Sequence, residues 1–255
     1  MINSLTPEMS WQQNDIYSVL PVLLTFAFFT LYWFISQSDR IRREFYDNND
    51  PDEATVYHIS FNRIAGFVLM GIFPLLICLI LLPGYTIADF GLKLLPDNFA
   101  FTAIAVILLS LIMIPIVSGS ARRPQIQDAH PQIRARIWTR KTAVIDALTW
   151  ALYLLGYETL FRGVLLFPLA ESIGVWAAIA INIALYSAAH IPHGKAETVA
   201  AVPFGFVLCI LTLYSGTIWI AFLAHLVNAL TVSFSAMKYN PEMRYIGTWR
   251  KAANL

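Results

Sequence analysis

Long apolar segments without any charged residue are the feature that most restricts how this chain folds. A helix that crosses the hydrocarbon core of a bilayer needs about 20 mainly apolar residues, because each residue advances about 1.5 Å across a thickness of roughly 30 Å. Six segments of about this length contain no charged residue, and a seventh, from 142 to about 170, is apolar apart from Asp146, Glu158, Arg162 and a few neutral polar residues. The sequence therefore predicts an all-α, polytopic transmembrane helical bundle with about seven spans. The charge-free segments are residues 16–35, 64–82, 99–119, 173–189, 198–214 and 217–237.

The composition agrees with a membrane protein and excludes several other classes. Hydrophobic residues make up 58% of the 255 residues, charged residues only 13%, and the mean hydropathy is +0.62, so a water-soluble fold could not cover the apolar surface. A formal net charge of +1 gives no dense basic patch for nucleic acid, and membrane lipid is the expected surrounding. Cys78 and Cys209 lie in apolar segments without metal-type spacing, which argues against a disulfide framework or a zinc knuckle.

Basic residues outside the predicted spans fall almost entirely on alternate loops. Cytoplasmic loops are enriched in Lys and Arg, so this asymmetry predicts an N-terminus outside and a C-terminus inside, with only Lys93 on the outer side. Because the first 15 residues contain no Lys or Arg, the first apolar segment is expected to remain as a helix and not to be a cleaved signal. The same pattern divides the chain into three N-terminal spans (1–141), a core of four helices (142–238) and a cytoplasmic tail (239–255). The residues assigned to the cytoplasmic side are Arg40, Arg42, Arg43, Arg63, Arg122, Arg123, Arg134, Arg136, Arg140, Lys141, Lys195, Lys238, Arg244, Arg250 and Lys251.

Ionisable residues inside a span cost about 2.5 to 3.5 kcal/mol each on insertion scales, and here they lie almost only in the last four helices. Glu158 and Arg162 are four residues apart and therefore share one helix face, where they can pair. Two interpretations are open. The pair is a structural ion pair that lets both charges persist in the bilayer, or Arg162 holds Glu158 ionised and oriented as a general base toward water.

Two further polar pairs lie on predicted spans. Tyr186 and His190 are four residues apart near the end of the fifth span, and His225 and Asn228 are three apart on the last. Each pair taken alone is explained as well by interfacial or interhelical hydrogen bonds. Together with Glu158 they form a set sufficient to activate water, with the imidazoles binding a divalent metal or acting directly and Asn228 donating to an oxyanion.

Asp146 and Asn182 are expected to have structural roles. Asp146 lies one turn into its span and is interpreted as an interfacial charge, whereas Asn182 is interpreted as an interhelical hydrogen-bonding group. The sequence contains no serine nucleophile elbow, no H-E-x-x-H helix and no glycine-rich phosphate loop.

The stretch from about 144 to 237 resembles the CAAX protease and bacteriocin-processing family of intramembrane peptidases, also called the Abi family. Its marks are an E-E-x-x-x-R helix, an F-x-x-x-H helix and an H-x-x-x-N helix, in that order. The resemblance implies a helical bundle whose polar groups meet in a cavity within the membrane. It also implies peptide-bond hydrolysis by glutamate-activated water with histidine partners, often described as metal-dependent, with zinc the expected metal and His190 and His225 its candidate ligands. The matching residues are Glu158, Phe161, Arg162 and Gly163 for the first mark, Tyr186 and His190 for the second, and His225 with Asn228 for the third.

Two positions depart from the family pattern. Tyr157 stands where the family has its first glutamate, which is generally regarded as catalytic, and Asn228 follows His225 by three residues instead of four. One hypothesis is that Glu158 serves as the base in its place, with Tyr157 in a supporting position and Glu197 supplying a second carboxylate. The other is that the site is vestigial.

Straight helices with these bounds would not bring the candidate residues together. Counted from the cytoplasmic edge at about 1.5 Å per residue, Glu158 lies roughly 25 Å deep, His190 lies near the edge and His225 lies between them. The helix that carries Glu158 would therefore have to be broken or displaced around Gly156, or the basic segment before it would have to enter the membrane differently.

The sequence leads to three hypotheses of function. The first is an intramembrane endopeptidase that acts on a membrane-associated or exported peptide. The second is a catalytically inactive relative that acts as a membrane scaffold, immunity factor or regulator. The third is a transporter, against which the absence of paired broken spans argues. The G-K-x-E-T stretch at 194–198 is similar to a bacterial branch of the family, which favours the bacterial cytoplasmic membrane as the location.

Overall fold

A computed structural model of the chain describes residues 10–247. These residues are 79% helical with almost no strand, so the predicted all-α class is confirmed. Arg250 and Lys251, which belong to the predicted basic tail, lie outside the described residues.

Six helices are long and apolar enough to cross a membrane, and each overlaps one of the predicted spans. The remaining predicted span, 173–189, which is the fifth in chain order, forms only the 14-residue helix Val175–Ala188. This helix covers roughly 21 Å at about 1.5 Å per residue and is shorter than a bilayer core. Gly174, with φ +93°, precedes this helix, and Pro192 follows it closely. Between residues 10 and 247, six helices therefore have full spanning length, and the shorter apolar helix Val175–Ala188 is the seventh. The six long helices are Gln13–Asn48, Pro51–Leu81, Phe99–Ser120, Arg140–Ser172, Lys195–Ser215 and Trp219–Tyr239.

The N-terminal half contains three of these long helices, and polar or proline residues mark where their segments begin. Ser38 accepts a hydrogen bond from the Ile41 amide at the start of the helix Asp39–Asn48, and Asn98 accepts one from the Phe101 amide at the start of the helix Phe99–Ser120. Pro51 is the first residue of the helix Pro51–Gly66. The elements are α1 (Ile16–Ser36), α2 (Asp39–Asn48), α3 (Pro51–Gly66), a π-helical segment (Phe67–Ile72), α4 (Phe73–Leu81), α5 (Phe99–Ser120) and α6 (Pro124–Ala129).

The C-terminal half contains the candidate residues. Thr139 caps its first helix by accepting a hydrogen bond from the Thr142 amide. The two-residue strands β1 (Ile137–Trp138) and β2 (Arg244–Tyr245) pair in parallel and tie the segment before this helix to the segment after the last one. Short 3-10 turns are Gln13–Asp15, Ile87–Phe90 and Ile191–His193. The helices are α7 (Arg140–Glu158), a second π-helical segment (Thr159–Leu166), α8 (Phe167–Ser172), α9 (Val175–Ala188), α10 (Lys195–Ser215) and α11 (Trp219–Tyr239).

The continuous helix Arg140–Ser172 lies at the centre of the bundle. Its α7 part packs against α3 and α11, and its π-helical part contacts α1, α4 and α9. The helix is not broken at Gly156. Instead this glycine lets two backbones touch, because an added Cβ would lie 2.6 Å from the Cα of Phe67, and small residues allow such close approach of membrane helices.

A buried ion pair joins α3, α7 and α11. Helix α3 begins at Pro51, so Arg63, assigned from the sequence to a cytoplasmic loop, is helical. It is 2% exposed, and one guanidinium nitrogen lies 2.9 Å from Asp146 Oδ1. Ser233 on α11 donates a hydrogen bond to Asp146 Oδ2 at 2.8 Å. The interpretation of Asp146 as an interfacial charge is therefore wrong, since the carboxylate is fully buried and its charge is compensated by Arg63.

Candidate active site

The second π-helical segment forms one wall of the candidate site. All of its residues are buried, and single π-helical segments inside α-helices occur frequently at functional sites. Asn182 on α9 donates a hydrogen bond to the carbonyl oxygen of Phe161 at 2.5 Å, and Cys209 on α10 donates to Asn182 Oδ1 at 3.2 Å. The interhelical hydrogen bonding predicted for Asn182 is confirmed, and it holds the π-helical segment against α9 and α10.

Glu158 and His225 are in direct hydrogen-bond contact, through Oε1 and Nδ1 respectively. Glu158 is fully buried and His225 is 8% exposed. An ionised carboxylate only accepts hydrogen bonds, so the imidazole Nδ1 carries the proton and donates it. In a site this far removed from water, such a hydrogen bond is stronger than in solution. The fold thus joins the end of α7 to the middle of α11.

Arg162 lies on the same helix face as Glu158 and is also fully buried. Its Nε is 3.7 Å from Glu158 Oε2, so the pair predicted from the four-residue spacing is present. The guanidinium lies over the ring of Tyr186, with 4.4 Å between Cζ and the ring centroid, an attractive arrangement for a cation and an aromatic ring. These contacts place a positive charge beside the carboxylate without occupying it through a hydrogen bond.

Tyr186 binds the other nitrogen of the same imidazole. Its hydroxyl oxygen lies 2.9 Å from His225 Nε2. In the neutral tautomer that donates from Nδ1 to Glu158, Nε2 is an acceptor and the Tyr186 hydroxyl is the donor. Sequence reasoning matched Tyr186 to the phenylalanine of the second mark and missed this hydroxyl. The signal was a phenolic group at a position for which the family pattern has a purely apolar ring.

His190 also reaches the site, although the helix count from the sequence placed it far from Glu158. Its Nδ1 lies 2.8 Å from the carbonyl oxygen of Tyr186, and its ring centroid is 4.6 Å from that of Tyr186. Helix α9 ends at Ala188, and His190 lies in the turn that follows it, next to Tyr186. His190 is partly exposed and lies at the edge of the site.

Tyr157 lies between the two histidines. Its ring centroid is 6.2 Å from that of His225 and 6.4 Å from that of His190. It is 6% exposed, and its hydroxyl has no hydrogen-bond partner within residues 10–247. The residue that replaces the first family glutamate therefore contributes an aromatic wall and a buried, unpaired hydroxyl.

The remaining candidate residues are less enclosed. Asn228 lies one turn after His225 on α11 and is partly exposed, and in the described part of the chain its side chain forms no hydrogen bond. Glu197 lies in the first turn of α10 and is also partly exposed. The structure thus brings together Tyr157, Glu158, Arg162, His190 and His225, with Tyr186 added, and places Asn228 and Glu197 outside the buried group.

The arrangement does not fit a zinc ion. Catalytic zinc is held by three protein ligands as a rule, and no group of three His, Cys, Asp or Glu residues in the described chain is placed to hold a metal ion. In addition, Glu158 and Tyr186 already bind both ring nitrogens of His225.

The geometry agrees with the comparison with known families. Residues 141–231, from the start of α7 into α11, match the Rce1-like family, whose description is type II CAAX prenyl endopeptidase Rce1-like. Neither a curated protein nor a solved structure gives a significant match. The matched segment contains every residue of the buried group and omits the first three predicted spans. The match covers a little over a third of the chain, and over this segment the chain is similar to the membrane proteases of the CAAX protease and bacteriocin-processing family.

Proposed function

We propose that this chain is an intramembrane endopeptidase that hydrolyses a peptide bond of a membrane-associated or exported peptide. The observation that carries the proposal is the buried contact between Glu158 Oε1 and His225 Nδ1, with the Arg162 guanidinium beside the same carboxylate. A carboxylate fixed by an imidazole and a cation is suited to accept a proton from water. The family match supports the same reaction class.

Glu158 Oε2 is the atom to which we assign the role of base. Oε1 is bound to His225, whereas Oε2 has no hydrogen-bond partner among residues 10–247 and lies 3.7 Å from Arg162 Nε. One carboxylate oxygen is thereby used to orient the group and the other is free to accept a proton. Because the site is buried, the charge of Arg162 acts more strongly on this oxygen than it would in water.

The proposed reaction uses one water molecule for each bond cleaved. Glu158 Oε2 accepts a proton from water while the water oxygen forms a bond to the carbonyl carbon, and the carbonyl π electrons move to its oxygen. The tetrahedral intermediate then collapses, the C–N bond breaks, and the amine nitrogen takes the proton from Glu158. We assign His190 and Asn228, both partly exposed, as donors that stabilise the oxyanion.

The position of the site points to the substrate class. Glu158 lies on a helix of spanning length and its carboxylate is fully buried, so a substrate must present its peptide bond below the membrane surface. The rings of Tyr157, Phe161 and Tyr186 pack against one another, and those of Tyr157 and Tyr186 also pack against the His225 ring that binds the carboxylate. A hydrophobic peptide segment, with few charges near the cleaved bond, matches these surroundings.

The second candidate function is a catalytically inactive relative that serves as a membrane scaffold, immunity factor or regulator. The observation in its favour is Tyr157, which puts an aromatic ring where the family has a glutamate. In that case the contact among Glu158, Arg162 and His225 would only stabilise the bundle.

The test compares peptides released from membranes of cells that express wild type, Glu158→Gln or His225→Ala at equal levels, measured by mass spectrometry. Defined fragments that appear only with the wild type are expected. Their termini would identify both the substrate and the cleaved bond.

Two matched variants control for loss of a carboxylate or an imidazole elsewhere. Glu171→Gln alters an exposed carboxylate of the same long helix, and His58→Ala removes a buried histidine of α3. Both should release the wild-type fragments. Identical peptide profiles from wild type and Glu158→Gln, with normal membrane insertion of both, would refute the protease and favour the inactive relative.

A further inference from the structure

We propose that Tyr186 is a positioning residue of the reaction, whose hydroxyl fixes the tautomer and the orientation of His225 against Glu158. This inference rests on the proposed function and extends it to a residue outside the expected catalytic set. The family pattern has a phenylalanine at this position, so the hydroxyl is a feature of this chain.

The hydrogen bonds run in one direction, from Tyr186 through His225 to Glu158. The tyrosine hydroxyl lies 2.9 Å from Nε2, and Nδ1 contacts Glu158 Oε1; with the proton on Nδ1, the hydroxyl donates to Nε2 and Nδ1 donates to the carboxylate. A single hydrogen bond leaves an imidazole free to rotate about its Cβ–Cγ bond. Two hydrogen bonds on opposite sides of the ring fix both the rotation and the nitrogen that carries the proton.

The packing around the Tyr186 ring keeps the hydroxyl in place. The side chain is 1% exposed, with the Arg162 guanidinium over one face of the ring. Gly205 of α10 lies against the ring edge, where an added Cβ would be 2.9 Å from Cδ1. Phe161 meets the ring edge to face, with centroids 5.8 Å apart. A side chain enclosed on these sides cannot change rotamer without moving α10 or the π-helical segment.

The hydroxyl is therefore a fixed donor and not a group that reaches the substrate. Both nitrogens of His225 are used within the protein, which leaves Glu158 Oε2 as the atom that meets water. The expected function of Tyr186 is to keep the imidazole, and through it the carboxylate, in the productive geometry.

The first test needs no substrate. Purified protein with ¹⁵N-labelled histidine is examined by NMR, and the His225 signals are assigned by their absence in His225→Ala. The wild type should show a protonated Nδ1 and an unprotonated Nε2 whose resonance is moved upfield by the accepted hydrogen bond. Tyr186→Phe, which keeps the ring, should move the Nε2 resonance downfield, and Tyr153→Phe, which removes a phenol one turn before Tyr157, should not.

The second test measures how fast the fragments seen only with wild type appear in membranes. Loss of one neutral hydrogen bond is expected to slow Tyr186→Phe by roughly fivefold. Gly205→Ala, which displaces the ring but keeps the hydroxyl, should also slow cleavage. This second variant keeps the proposal testable if one of the two proteins fails to insert.

The outcomes separate the inference from the proposed function. If Glu158→Gln abolishes cleavage while Tyr186→Phe leaves both the Nε2 resonance and the rate unchanged, the role of Tyr186 is refuted and the protease stands. If Glu158→Gln retains full activity, the proposed function itself is refuted. A shifted resonance together with a reduced rate in Tyr186→Phe supports both.

Discussion

Removal of the Asp146 carboxylate tests the central packing of the bundle. In Asp146→Ala, Arg63 would remain buried without its counterion, and Ser233 would lose its acceptor. Breaking one partner of a buried ion pair costs about 3 to 5 kcal/mol. Arg63 would keep its contacts with Thr149 and with the Trp150 ring, 4.0 Å from its Cζ, so we expect the lower end of that range, about 3 kcal/mol.

The free energy of unfolding is measured in mixed micelles, and a double-mutant cycle isolates the pair. Arg63→Met alone and Asp146→Leu alone should each also destabilise the protein. The double variant Arg63→Met with Asp146→Leu should recover most of the loss, because no unpaired charge stays buried. Asp97→Ala, which breaks an exposed pair with Lys93, serves as the control and should change little.

Two results would refute this reasoning. Asp146→Ala could be as stable as Asp97→Ala, which would mean that the buried charge of Arg63 has another compensation. Alternatively, the losses of Arg63→Met and Asp146→Leu could simply add in the double variant, which would mean that the two residues are not coupled.

Three further predictions concern packing, metal dependence and topology. Gly156→Ala should destabilise the protein by about 1 to 3 kcal/mol through overpacking against Phe67. Gly119→Ala, with no atom within 4 Å of the added Cβ, should not. Equal unfolding free energies of the two variants would contradict the close helix contact. Fragment release should persist after treatment of membranes with a metal chelator, because no described group of three ligands is placed to hold a metal ion; loss that zinc restores would overturn the metal-free route. A green fluorescent protein fused to the C-terminus should fluoresce and an alkaline phosphatase fused there should be inactive; the opposite pair of results would reverse the predicted topology.

The fold class could be predicted from the sequence because hydrophobic length is a local property. Each apolar run must become a helix in lipid, where its backbone has no other way to satisfy its hydrogen bonds. Six of the predicted spans became helices of full length for this reason. The remaining predicted span, 173–189, formed a shorter helix than predicted, because the helix begins only after Gly174 and a turn ends it before His190.

One contact of the candidate site could also be predicted from the sequence. The four-residue spacing of Glu158 and Arg162 predicted their pairing, because such residues share a face on any helix. The spacing on other helices could not show that His225 meets Glu158, since 67 residues separate them and their depths in the bilayer differ in a straight-helix count. The role of Asp146 was misjudged for the same reason, as its partner Arg63 lies 83 residues away.

Local composition and periodicity thus determined that the chain lies in a membrane and is helical, and a few motif residues carried the resemblance to a protease family. The tertiary structure decided which polar groups meet. The turn after α9 places His190 next to Tyr186, Gly156 lets two helices touch, and Gly205 lies against the Tyr186 ring beside His225. These contacts depend on helix ends and on the close approach of backbones, and both are set by packing between distant segments, which no local pattern in the chain specifies.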